Sequence, residues 1–172
     1  MSDAPATGST EPVRPTRVPL PAAVRESLMM MLGREVTVVD AGRIPPEGAI
    51  PVAVGPYIDD GDALTGCCWV DLPLGAAMGA AMSMVPRAAA EECLTTGVLP
   101  AEFQDNLHEV LNIASALLNE DEAAHVRIRS LELLETGLAE DTLGLLADPR
   151  AGGFFRVEVE DYGTGLLSFT LA

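Results

Sequence analysis

Asp105, Glu109 and Asn112 lie in the stretch AEFQDNLHEVLNIASALLN, residues 101–119, at a spacing that sets two carboxylates and a carboxamide in one row. At about 100° per helical residue the three side chains fall within roughly 60° of one another. Leu107, Val110, Leu111, Ala114, Leu117 and Leu118 share the other face. That apolar face supplies the packing, so the polar row is not needed for it. Three such residues can simply be the wet side of an amphipathic helix, and Asp105 in the early turns suits the helix dipole. They can also carry chemistry. A carboxylate binds a cation on a partner, while an amide one turn on both donates to and accepts from a water. The glutamine that orients attacking water in GTPases works this way. Neither Glu109 nor Asn112 acts as a nucleophile here, so a phosphoryl group would have to come from another molecule.

Other chemistries find no support. There is no GxxxxGK[ST] or GxGxxG motif, and Gly163-Thr164-Gly165 falls in a hairpin instead of before a helix. Two histidines, His108 and His125, are too few for a His-rich metal site, and no GxSxG elbow occurs. Asp59, Asp60 and Asp62 lack the ligand spacing and closing glutamate of a calcium loop, and read as a solvated turn. The net charge of −16, with ten arginines and no lysine, disfavours nucleic acid and anionic membranes as partners. The three cysteines give no disulfide framework. Cys67 and Cys68 are neighbours in a predicted strand and face opposite sides of it, which leaves reduced, buried thiols and a cytoplasmic setting.

A chain of 172 residues with 48% hydrophobic content suits one domain with a proper core. Residues 1–17 (MSDAPATGSTEPVRPTR) read as a disordered tail without a targeting segment. Beyond it, the pattern predicts a helix over Pro21–Leu32 ended by Gly33, and a strand over Glu35–Asp40. A hairpin of Pro51–Ile58 and Ala63–Leu72 turns at Asp59–Asp62. The apolar run Leu72–Val85 is too short for a bilayer span. Its Ala, Gly and Met content fits either a packing helix or the contact of a homodimer. Helices follow at about Arg87–Thr96 and over 101–119, then a weakly alternating strand at Val126–Leu134. Leu138–Ala147 reads as a short helix or crossover, and a hairpin of Phe154–Glu160 and Leu166–Leu171 closes the chain. The fold class is therefore α+β, with helices on an antiparallel sheet.

The two halves, about 18–84 and 101–172, share one pattern of helix, strand, connector and hairpin. Glu26-Ser27-Leu28-Met29 registers with Glu109-Val110-Leu111-Asn112, so Met29 stands where the second copy has its asparagine. The polar row thus belongs to one copy of a duplicated unit.

Asp105-x3-Glu109-x2-Asn112 matches the D-x3-E-x2-N signature of the CheC/CheX chemotaxis phosphatases. Over residues 18–172 the chain resembles that family, as a remote, single-motif, CheX-like relative. The resemblance implies a duplicated helix–strand–hairpin unit with long helices on an extended antiparallel sheet, a fold shared with the core of the flagellar switch protein FliM. It implies a phosphatase acting on the aspartyl phosphate of a CheY-like receiver domain. Glu109 would pair with a lysine of the receiver's pocket, Asn112 would position the attacking water, and Asp105 would orient the partner at the rim. Magnesium would sit on the receiver, so no cofactor of the chain's own is implied. Family members tend to place Gly about one turn after the Asn, where this chain has Ala116, still small enough for close approach by the partner. The alternative is a non-catalytic binding module of the same fold that contacts a signalling partner and turns nothing over.

Overall fold

The computed structural model describes residues 17–119 and 125–172. The expected N-terminal tail, Arg17 apart, lies outside the described residues. The first helix, α1, spans Pro21–Leu32, with proline in its first turn, where the missing N–H costs nothing. Gly33 ends it at φ +62°, donating its N–H to the Met29 carbonyl. Strand β1 (Val36–Gly42) follows, and then the hairpin of β2 (Ala53–Ile58) and β3 (Leu64–Val70). The hairpin turn is the predicted one, where the Asp59 carboxylate accepts from the Gly61 and Ala63 amides at 2.9 Å each.

Helices α2 (Leu72–Met82), α3 (Arg87–Thr96) and α4 (Ala101–Ala114) come next, and a 3₁₀ turn, Ser115–Leu118, extends α4. The second half continues with β4 (Arg127–Ile128), β5 (Glu132–Leu133), α5 (Glu140–Ala147), β6 (Ala151–Val159) and β7 (Gly163–Leu171).

The strands form one antiparallel sheet in the order β1-β6-β7-β3-β2-β4, with β5 also on β2. This order is symmetric about the β7–β3 contact. The lone strand of the first half, β1, completes the hairpin of the second half, and β4 completes the hairpin of the first. A duplicated helix–strand–hairpin unit gives this exchange. Alternation along the strands builds two cores. Cys68, Val70, Tyr57 and Phe155 face α1 to α4, whereas Cys67, Trp69, Val54 and Phe154 face away, with Leu145 of α5 among them. The adjacent cysteines therefore point to opposite sides, and all three are free and buried.

One predicted strand differs from those observed. The expected strand Val126–Leu134 is split into β4 and β5. Opposite the break is Pro56, which has no N–H for the ladder, so β2 offers only its carbonyl, accepting from Arg129 N–H at 2.8 Å. The apolar run after β3 forms a packing helix, one of the two readings its composition allows, with Leu74–Ala81 buried within the chain. Asp71 caps α2 by accepting from the Leu74 amide at 3.0 Å, and burial pushes its carboxyl up from the usual range. Gly79 lets α2 and α4 approach. A Cβ there would lie 2.5 Å from Phe103 Cγ and 2.6 Å from its Cβ.

An Arg129 fork joins the β4–β5 segment to α5. Its Nη1 donates to Asp141 at 2.6 Å, and Nη2 to Asp141 at 3.0 Å, to Glu132 at 2.8 Å and to Thr142 Oγ1 at 3.1 Å. The guanidinium holds the Asp141 carboxyl below its ordinary value.

Gly79→Ala should destabilise the fold by about 1–3 kcal/mol, because the methyl meets the buried Phe103 side chain; urea unfolding measures it. Asp141, with its folded pKa lowered, contributes stability that is present above the unfolded carboxylate range and lost as pH falls through the folded value. The stability difference between wild type and Asp141→Asn should therefore be largest near neutrality and vanish in acid. A difference unchanged from pH 7 to pH 3 would contradict that assignment.

Candidate functional site

Helix α4 carries the polar row, and it is fastened at both ends. At its start Glu102 lies in the first turn, where the helix dipole favours a carboxylate. One turn on, Asn106 Nδ2 donates to Ser83 Oγ at 2.8 Å and to the Gly79 carbonyl at 3.2 Å, joining α4 to the end of α2. Phe103, Leu107, Val110, Leu111 and Ala114 are buried against the sheet and the other helices.

The far end is set by β2. Gly55 and Tyr57, two residues apart, project from the same face of that strand. A Cβ on Gly55 would lie 3.1 Å from Leu111 Cβ and 2.9 Å from Ile128 Cδ1, so the glycine lets α4 come down onto the sheet. Tyr57, fully buried, donates its hydroxyl proton to the Leu111 carbonyl at 2.6 Å. Burial, with the neighbouring Cys68 and Cys67 thiols adding to it, pushes the Tyr57 hydroxyl well above its ordinary pKa, so it remains a donor. The Ser115 N–H then turns to Asn112 and Ile113 instead of reaching back to Leu111, and the Ser115 hydroxyl donates to the Asn112 carbonyl at 2.6 Å. The α-helix tightens to 3₁₀ at Ser115, three residues after Asn112.

This corrects one expectation. The helix does not run unbroken to residue 119. Because a 3₁₀ turn advances about 120° per residue instead of 100°, Ala116 is rotated about 40° from the place a continuous α-helix would give it. It remains exposed. Asp105 and Glu109 are exposed and Asn112 is half-buried. Among the described residues, no hydrogen bond or ion pair engages the side chains of these three. The carboxylates and the amide are therefore available to a partner. Ile113, 39% exposed, sits beside them and adds an apolar contact to the same surface.

The row is a ridge on a convex helix, suited to entering another molecule's pocket. The cavity of about 780 Å³ lined by Trp69, Phe154 and Arg43 lies on the opposite face of the sheet and contains none of these residues. No group of three or more His, Cys, Asp or Glu among the described residues could hold a metal ion. No helix there is long and apolar enough to cross a membrane. On α1, Glu26 is exposed, Leu28 buried and Met29 half-buried, the same burial sequence as Glu109, Leu111 and Asn112. Met29 packs against the core where Asn112 offers an amide. The motif pointed to the polar row but not to Gly55 or Tyr57. The available signal was a glycine inside a strand, which often marks a close approach.

No protein-family model and no curated protein matches the chain in sequence. Solved structures do share its fold. FliY from Thermotoga maritima superposes with a TM-score of 0.60 at 13% identity, over 87% of this chain and 82% of that one. A chain of the FliG–FliM complex from H. pylori gives 0.60 at 9% identity, over 88% and 85%. A chain of the CheX–CheY–BeF3–Mg2+ complex from Borrelia burgdorferi gives 0.52 at 13% identity, over 87% and 92%. The chain has the α+β fold common to these proteins, the fold that the sequence resemblance implies.

Tyr57→Phe should cost about 1–3 kcal/mol, since it leaves the buried Leu111 carbonyl without its donor. Amide hydrogen exchange should rise at 112–116 more than in the first turns of α4. Uniform exchange along the helix would contradict the anchoring role.

Proposed function

We propose that this chain is a CheX-like phosphatase that hydrolyses the aspartyl phosphate of a CheY-like receiver domain. The observation that carries the reading is the row Asp105, Glu109, Asn112, unpartnered and rigidly mounted, on a fold shared with a chain of a CheX–CheY complex. Glu109 pairs with a lysine of the receiver and docks α4 over the phosphorylation pocket, with Asp105 orienting the partner at the rim. Ala116, small and exposed, permits close approach.

Asn112 enters the pocket. Its amide accepts from and donates to one water, holding an oxygen lone pair in line with the phosphorus. Water attacks phosphorus, the bond from phosphorus to the aspartyl oxygen breaks, and the receiver regains its carboxylate. The water's protons leave on, or from, the inorganic phosphate. Magnesium bound by the receiver supplies charge stabilisation, and this chain's contribution is orientation. Anchoring Leu111 fixes the residue next to Asn112, which is the precision such positioning requires.

A second reading is favoured by the higher structural similarity to a FliG–FliM chain, 0.60 against 0.52. In that reading the acidic row contacts a signalling partner without turnover.

The test loads receiver domains from the same genome with acetyl phosphate and follows decay of the phosphorylated form. Wild-type protein should accelerate the decay of at least one receiver. Asn112→Ala should lose at least tenfold of that acceleration while still binding, and Glu109→Ala should raise the apparent KM. Binding of a receiver without acceleration would replace this reading with the binding module. Neither binding nor acceleration with any receiver would overturn both.

A further inference from the structure

The sheet face away from α4 holds a cavity of about 780 Å³, within the size range of small-ligand sites. Its floor is aromatic: Trp69 and Phe154, both nearly buried, meet edge to face with ring centroids 5.8 Å apart. Pro45, Ala49 and Leu146 add apolar walls. Leu20 at the rim is 70% exposed, an apolar side chain left in water beside an apolar hollow.

Basic side chains gather at this hollow. Overall the protein carries −16, yet three of its ten basic residues, Arg17, Arg43 and Arg150, line this one cavity. A general attraction for anions is therefore absent, and any anion held here is held by local guanidinium groups. Arg150 is fixed in place, its Nε donating to the Ala172 carbonyl at 2.7 Å. The ion pair of Arg43 is an exposed contact to Asp40 at 3.7 Å, a weak competitor for its charge.

The backbone is shaped to put Arg43 there. Pairing of β1 with β6 shifts register between Asp40 and Gly42, and Gly42 takes φ +98° with its N–H donating to Asp40 Oδ1 at 2.8 Å. The bulge carries Arg43 across β6. There Gly152 and Gly153 interrupt an otherwise good strand. A Cβ on Gly153 would lie 2.9 Å from Arg43 Nη1 and 2.5 Å from Val18 Cγ1, so the missing side chain leaves room for the guanidinium beside this strand. Glycine inside a strand weakens it and commonly marks a close approach of this kind.

We propose that this cavity binds a small aromatic carboxylate, with its ring against Trp69 and Phe154 and its anionic group at Arg43, flanked by Arg17 and Arg150. The site is separate from the α4 row and independent of any phosphatase activity.

The chain has one tryptophan, so a ¹⁵N-labelled sample gives a single indole N–H signal, which lies on the cavity floor. The full chain is titrated with 1-naphthoate, and in parallel with neutral 1-naphthalenemethanol. Naphthoate should shift the Trp69 signal saturably, and the alcohol should bind at least tenfold more weakly. Arg43→Glu should weaken naphthoate at least tenfold, and Arg43→Gln less, with urea midpoints unchanged because the residue is exposed. No saturable shift at millimolar naphthoate would overturn the proposal. So would equal binding of the alcohol, or of Arg43→Glu.

Discussion

The contact between β2 and the last turn of α4 determines what the polar row can do. Tyr57 supplies a buried hydroxyl to the Leu111 carbonyl, and Gly55 removes the side chain that would hold the helix off the sheet. A buried carbonyl needs a partner, and here the partner comes from another element instead of from the next helical turn. The helix consequently changes to 3₁₀ at Ser115, and Asn112 sits in the last α-helical turn before that change. The helical turn that carries the side chain that would aim a water is thus held by the sheet.

The symmetric sheet order explains why such a platform exists. Each half lends one strand to the other's hairpin, so neither half has a complete sheet alone. The helices α1 and α4 then occupy equivalent places, with exposed Glu26 and Glu109, buried Leu28 and Leu111, and half-buried Met29 and Asn112. Packing demands only the leucines. An amide where the other copy has a thioether is a difference the fold does not require, and that favours a function for it.

Much of this was legible in the sequence. The bounds of α1 follow from Pro21 and Gly33, and those of α3 from the Gly97 that ends it. The polar row follows from helical spacing alone. What was not legible depended on distant pairs. Tyr57 and Leu111 are 54 residues apart, and no local pattern announces that they meet. The split of the expected 126–134 strand depends on Pro56, which lies in another strand altogether. The arginines of the far cavity are likewise scattered over residues 17 to 150, and only the fold gathers them.

The central claim is that α4 is a rigid ridge presented to a receiver domain. Hydrogen exchange of this chain, with and without receiver domains from the same genome held active by BeF3− and Mg2+, addresses it most directly. The account predicts that at least one activated receiver slows exchange across residues 105–116, and that the same receiver without BeF3− does so less. Protection confined to other surfaces, or no protection of α4 by any activated receiver, would contradict it.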